Sequence, residues 1–560
     1  MSGPIEVHRW GRFETAVEAP FYDALDPLRD VRATADITSP SGAHHSVLGF
    51  WDGEYTWRFR FAPGELGRWE YVLRVAVRPE APVTGGETLT AVNGDFQCVP
   101  YSGDNPLYRF GPPRMSAGRR HLVHAGTAPD GAPAAGADGV AFFWLADTAW
   151  NGPLLATPEE WSHYLRVRRG QGFSAAQFVS THWRTAPEGG PGGLAYTGGE
   201  HLERVRPEFF RRLDARLDEL AEAGMVGVPV LLWAIGGGVG AERNPGHILS
   251  EEDCALLAGY QVARWQAHPV AFILNGDGRY TGEHAPRWQR IGQAVFGATD
   301  PRTRPPVAVH PGGQQWVGEE FGPEPWLDIL GYQSGHGGNE TAWRWLVDGP
   351  PARRWAEVPR QAVINLEPCY EYHNRMAAQR GDATAPAGRF SPADVRRALY
   401  WSLLVSPTAG VTYGGHGVWG WDDGSGPPVA HERTGVPLPW REALTMPGAQ
   451  EVRHLVDAFG AVSWWTLRPD PSLLRTQPGQ MGGDGDVCAW IAAARSDGGD
   501  LAVLYLPQGG TVALDAGRLA PGLRLTWVNP RDGSRLEGPE LPPEGQLQAP
   551  DGQDWLLILR

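Results

Sequence analysis

Residues 1 to about 115 alternate short apolar runs with Gly, Pro and Asp. The segments ETAVEAPF, VRATADITSP, YTWRFRFAP, WEYVLRVAV and GDFQCV read as antiparallel strands spaced every 10–15 residues, with no helical period. That rhythm predicts an immunoglobulin-like β-sandwich over 1–115. The Gly/Pro/Ala stretch 125–138 reads as a loop or hairpin tip at the entrance to the next domain.

From about 140 to 415 the rhythm changes. Eight apolar, strand-like runs appear at 141–150, 175–181, 226–235, 270–277, 306–311, 329–335, 361–368 and 410–416. Amphipathic helices lie between them. PEEWSHYLRVRRGQG carries Trp161, Tyr164, Leu165 and Val167 on one face, and RPEFFRRLDARLDELAEAG carries Phe209, Leu213, Leu217 and Leu220 and stops at Gly224. SPADVRRALYWSLLVSP opens with Ser391 as cap and Pro392 at the first helical position. Eight such strands with intervening helices predict an α/β fold, a (β/α)₈ TIM barrel spanning 116–460. The helix linking the fifth and sixth strands is expected to be short or absent. Helical character persists through 440–459; then DVCAWIAAA, LAVLYLP, GTVALDAG, LRLTWVNP and DWLLILR predict a C-terminal antiparallel β-sandwich over 461–560.

Composition narrows the chemistry. The formal net charge of −15 argues against nucleic acid or an anionic membrane surface as partner and fits a neutral ligand. All 49 basic residues are arginine, which excludes lysine Schiff-base and lysine nucleophile chemistry. The 25 tryptophans suit either sandwich cores or flat faces that stack on sugar rings. Cys98, Cys254, Cys369 and Cys488 are far apart, so neither a disulfide framework nor a structural zinc site is expected, and no metal or other cofactor is called for. The N-terminus shows no charged start followed by an apolar run, and no stretch approaches about 18 apolar residues. A cytoplasmic protein without a membrane span is therefore expected, its oligomeric state left open.

Barrel enzymes place their sites at the C-terminal ends of the strands. Those ends carry Asp147 and Trp150; His182 and Trp183; Trp233; Asn275 and Asp277; His310; Tyr332, Gln333 and His336; Glu367, Tyr370 and Glu371; and Tyr413 and His416. Aromatic faces with neutral hydrogen-bonding groups suit a polyhydroxylated, uncharged ligand. Glycoside cleavage needs one carboxyl group to protonate the departing oxygen and a second to attack the anomeric carbon or activate water. Asp277 and Glu367, on strands four and seven, are the pair placed to do this across the mouth. Asp277 in NGDGRY can instead cap a turn, and Glu367 in INLEPCYE can instead be a solvated loop residue. Asp147 and the remaining rim residues are assigned to substrate binding, although a lone histidine in a barrel often serves structure only.

The segments FFWLADTAW, GFSAAQFVST, ILNGDGRY, INLEPCYEYH and RRALYWSLLVSPTAGVTYGGHGVWGW resemble glycoside hydrolase family 140, whose known activity is apiosidase. The resemblance covers essentially the whole chain and implies a barrel between two β-sandwiches, with Asp277 as acid/base and Glu367 as nucleophile. Strand four departs from the family's GGD with NGD, and strand two carries THWR with a Gly-rich insertion at 185–200. Both lie where sugar selectivity is set. The expected protein is thus a retaining glycoside hydrolase acting on an oligosaccharide or glycoside, apiosidase-like by resemblance. The alternatives are a metal-dependent barrel hydrolase, which would want HxH after strand one where DTAW stands, and a non-catalytic carbohydrate-binding protein.

Overall fold

The computed structural model describes residues 5–20, 25–81, 87–126, 139–300, 303–376, 388–480 and 486–560. Residues 127–138 of the expected hairpin tip lie outside the described residues.

The N-terminal region folds into two sheets. Five strands, in the order Glu6–His8, Thr88–Val99, Gly67–Val77, Val31–Thr38 and His44–Leu48, form one. Phe13–Glu18, Thr56–Phe61 and Phe50–Trp51 form the other. The period-two pattern decides which side chains point inward: Val31, Ala33, Ala35 and Ile37 are buried while the residues between them are not. They join Phe13, Trp57, Phe59, Trp69 and Phe96 in the core.

Eight parallel strands close the barrel: β1 (Trp144–Thr148), β2 (Ala175–Val179), β3 (Val226–Leu232), β4 (Phe272–Asn275), β5 (Val307–Val309), β6 (Ile329–Tyr332), β7 (Ala362–Asn365) and β8 (Gly410–Tyr413). β1 pairs with β8, Asp147 opposite Tyr413, to complete the ring. Every residue of these strands is buried, since one face packs into the barrel and the other against helices. Each expected strand is present. The β5–β6 connection holds only the four-residue helix Gly318–Phe321, in line with the weak helical signal there.

Local chemistry starts the helices where the pattern placed them. Thr157 accepts from the Glu160 amide and opens Pro158–Gly170 with a capping box. Ser391 does the same for Pro392–Leu404: its Oγ accepts from the Asp394 amide at 3.3 Å and donates to Asp394 Oδ2 at 2.7 Å. Replacing Ser391 with Ala is expected to lower stability by about 1 kcal/mol, read from the urea midpoint, with no change in the far-ultraviolet circular dichroism.

The C-terminal region forms a six-stranded sheet in the order Arg468–Pro469, Ala492–Arg495, Ala502–Leu506, Trp555–Leu559, Arg524–Val528 and Arg535–Glu540. A two-stranded ribbon, Thr511–Ala513 with Gln546–Gln548, accompanies it. The Val487–Cys488–Ala489 stretch, expected to begin a strand, is a single 3₁₀ turn held by the Asp486 side chain on the Cys488 amide. The sheet docks on the barrel helix Pro392–Leu404, where Tyr400 stacks on Tyr505 at 4.7 Å and Arg396 binds Asp554. Among the described residues no helix is long and apolar enough to cross a membrane.

Candidate active site

The chain leaves β4 through Gly276 to Asp277 and leaves β7 through Leu366 to Glu367, so both carboxyl groups sit just past strand C-termini. Glu367 is held from two neighbouring strands. Its Oε1 lies 2.9 Å from His336 Nε2, and its Oε2 lies 3.3 Å from His310 Nε2. The Tyr370 amide donates to His336 Nδ1, which leaves the His336 proton on Nε2, directed at the carboxylate. Burial alone would push the Glu367 carboxyl up, but the two imidazoles outweigh it and hold the group well below the usual carboxylate range. Asp277 moves the opposite way: burial first, then the charge of Glu367, push it up against the weaker pull of His310 and Arg184. Two carboxyl groups displaced in opposite directions is the arrangement that separates an acid from an ionised partner. The Tyr370 phenol lies among Glu367, Thr148 and Trp150, and burial and the carboxylate raise it well above its ordinary value.

Asp277 also lines a cavity of about 850 Å³, together with Ile235, Tyr280, Trp288, Gln315 and Gln333. Glu367 is not part of that wall; its side chain is 10% exposed.

The expected stacking tryptophans are packed on one another instead. Trp233 sits 5.2 Å from Trp150 and 4.5 Å from Trp183, and Trp150 meets His310 edge-on at 5.5 Å. All three are at most 3% exposed, so they form a solid floor and leave no open face for a sugar ring. A Cβ on Gly276 would approach Trp233 to 2.3 Å, which is why glycine stands between Asn275 and Asp277. Trp288 and Tyr280, on and before the helix Ala285–Phe296, border the cavity at 4% and 0% exposure, so they are packed in its wall rather than open to it.

Several other expected ligands turn away from the mouth. Asp147 faces the helix layer, where its Oδ2 accepts from Arg168 Nε at 2.7 Å and Tyr164 at 2.8 Å, and it is fully buried. Strand alternation is the reason: Thr148, one residue on, meets Gln177 and so takes the inward position. Tyr413, opposite Asp147, points outward too and donates to Glu371 Oε2, while Glu371 Oε1 accepts from the Gly448 amide in the first turn of Pro447–Gly460. Tyr332 lies against Trp345 in the helix layer. His182 Nδ1 accepts from the Ala195 amide and its ring packs on Tyr196, anchoring the 185–200 insertion. Both ring nitrogens of His416 are occupied, Nδ1 by Trp419 and Nε2 by the Gly435 carbonyl. The side-chain amide of Asn275 is buried with no partner among the described residues. Asp277, Gln333, Glu367, Tyr370, His310 and His336 are the expected residues that come together.

Two residues outside the expected set organise the mouth. Asn151 accepts from Trp183 Nε1 at 2.8 Å and Thr185 Oγ1 at 3.1 Å, donates from Nδ2 to the Gly420 carbonyl, and donates its amide to Trp419 O. It thereby ties together the segments after β1, β2 and β8. Arg184 Nη2 donates to His431 Nε2 at 2.6 Å, because His431 commits its Nδ1 proton to Val429 O. Arg184 directly follows the strand-two His182–Trp183 pair, but its partner is 247 residues away, a distance no local pattern reports.

The geometry agrees with what the chain is similar to. Residues 6–76 match a domain of unknown function, DUF5060. No curated protein matches the chain. The fold resembles a glycoside hydrolase family 5 crystal structure from Bacteroides vulgatus at 20% identity and a TM-score of 0.66, covering 81% of this chain and 94% of that one. A candidate glycoside hydrolase from the same organism aligns over 99% of both chains at 17% identity and a TM-score of 0.65. At these identities the likeness is one of fold. The model of the apiosidase-like catalytic domain is different in kind, since it matches residues 135–466, the whole closed barrel with Asp277 and Glu367 inside it. By that match the chain belongs to the apiosidase-like family and is a glycoside hydrolase.

Proposed function

We propose that the chain hydrolyses a glycosidic bond in an uncharged plant or bacterial saccharide with net retention, apiose being the sugar to which the family points. The observation that carries this reading is Glu367 clamped as an anion between His310 and His336, with Asp277 raised toward its acid form nearby. Glu367 attacks the anomeric carbon while Asp277 protonates the leaving oxygen, giving a covalent glycosyl–enzyme. Ionised Asp277 then takes a proton from water, which displaces Glu367 and releases the sugar. His310 and His336 keep Glu367 anionic and aimed, and the Tyr370 hydroxyl is placed to follow the change in charge on Glu367.

The test is a screen of aryl glycosides, 4-nitrophenyl apioside among them, with the first-formed anomer followed by nuclear magnetic resonance. Retention is expected; appearance of the opposite anomer would give Glu367 the role of base toward water. Asp277→Asn is expected to slow a poor alkyl leaving group by about 10³-fold and an activated aryl group by much less, since only the poor leaving group needs the proton.

A further inference from the structure

We infer that His373 is a positioning residue for the nucleophile: its ring stacks on His336 and sets the plane from which His336 Nε2 reaches Glu367. The inference rests on Glu367 being the nucleophile and adds a residue from outside the set of strand ends.

The need for such a group follows from His336 itself. A histidine ring turns about its last torsion with only a broad, two-fold preference, so the side chain alone does not fix where Nε2 points. The contact of its Nδ1 with the Tyr370 amide is 3.4 Å long, a weak tether. Packing holds the ring instead. His373 covers it at 4.2 Å between ring centres, nearly parallel at 23°, and Tyr370 packs beside it at 4.5 Å, tilted by 59°. Turning the imidazole out of line with Glu367 drives its edge into His373.

His373 is fixed in turn. Its Nδ1 donates to the Asn374 carbonyl at 2.6 Å, its amide donates to Tyr370 O, and its carbonyl accepts from the Phe390 amide. His416 packs on it at 5.1 Å and is itself held by Trp419 and Gly435. The segment 371–376 is stitched to both neighbouring loops: the Met376 amide donates to His336 O, and the His416 amide donates to Glu371 O. Within it Tyr372 takes a φ of 69°, which a residue with a Cβ adopts at a cost and keeps only where its surroundings over-determine it. Here the Tyr372 amide donates to Phe390 O, and Arg389 lies over the ring at 3.8 Å. The strained turn brings the buried His373 ring into a row with His336 and His416, one imidazole from the end of each of β6, β7 and β8.

The charge state suits the role. Nδ1 faces a carbonyl oxygen and so carries the proton. Burial first, and then the neighbouring imidazoles, hold the ring well below the ordinary histidine range, against the pull of the Asn374 carbonyl and Glu367. A neutral ring stacks on His336 without repelling it and leaves the anion to His310 and His336.

The test separates the ring from its hydrogen bond. His373→Phe keeps a flat ring against His336; His373→Gln keeps a donor for Asn374 O without a ring; His373→Ala keeps neither. Each is followed as kcat/KM against pH on the aryl glycoside that wild type cleaves, with melting temperatures alongside. The other groups whose charge acts with Glu367 (Asp277, Arg184, His310, His336, Tyr370 and His431) are unchanged in all three, so the acidic limb reports Glu367. His373→Ala and His373→Gln are expected to lower kcat about ten-fold and to move the acidic limb up by about one pH unit, the scale of one hydrogen bond to a charged group. His373→Phe is expected to keep the limb within about 0.3 unit of wild type. Where truncation to Ala loosens the fold, His373→Gln, nearer in size, decides. An acidic limb unmoved in His373→Gln, with or without a fall in rate, would overturn the inference, and so would a limb moved equally by His373→Phe. Full activity of Glu367→Gln would instead remove the hydrolase reading beneath it.

Discussion

Glu367→Gln is expected to lower kcat on an aryl glycoside by about three decades or more, a loss of roughly 4 kcal/mol of transition-state stabilisation, with the melting temperature moved by only a few degrees. The amide keeps the shape of the side chain and removes the attacking charge. The pH profile carries the same information. In the mechanism proposed above, turnover needs Glu367 ionised and Asp277 protonated. The imidazoles push Glu367 below the ordinary carboxylate range, while burial and the charge of Glu367 push Asp277 above it. Activity is therefore expected to persist into acid and to fall on the alkaline side as Asp277 loses its proton. His336→Gln removes one donor to Glu367 and is expected to move the acidic limb of kcat/KM to higher pH. A merely structural histidine would lower the rate at all pH values without moving that limb.

The second large effect concerns stability. Arg264 is fully buried between the N-terminal sheets and the barrel helices; it binds Asp214 through Nε and Nη2 and Asp52 through Nη1, and Arg60 reaches the same Asp214 carboxylate. Arg264→Met takes from the buried Asp214 its main counter-charge, leaving it Arg60 alone, while Asp52 keeps Arg58 and Arg211. Breaking one partner of such a network costs about 3–5 kcal/mol, so the first unfolding transition in urea is expected to shift by that amount. A shift under about 1 kcal/mol, the scale of an exposed pair, would mean that water screens the interface. The pH dependence has a definite sign. Burial opposes ionisation of Asp214, but Arg264 and Arg60 outweigh it and depress its pKa in the folded state. Its contribution is therefore fully present above the ordinary aspartate range and is lost as pH falls through the depressed value. The interface is expected to weaken in acid and to hold through neutral pH.

Much of the architecture is legible along the chain. A barrel strand buried on both faces reads as a short continuous apolar run, and all eight runs correspond to strands. Helix starts with local chemistry, Thr157 with Glu160 and Ser391 with Asp394, are legible for the same reason: the groups that satisfy the first amides lie within three residues. Strands with little apolar signal are not. Arg535–Glu540 is almost entirely exposed, and pairing with Arg524–Val528 is what makes it a strand.

By itself the sequence determined the order of elements and the placing of Asp277 and Glu367 just past strand C-termini, because each depends on neighbours close in the chain. Only tertiary structure decided which strand-end side chains face the site. Where both faces of a strand are buried, the apolar pattern loses its period of two, so nothing local distinguishes Asp147, turned to Arg168, from Thr148, turned into the barrel. Tertiary structure likewise decided that the tryptophans pack on one another and that Arg184 meets His431, since burial and pairing across hundreds of residues are set by the closure of the ring.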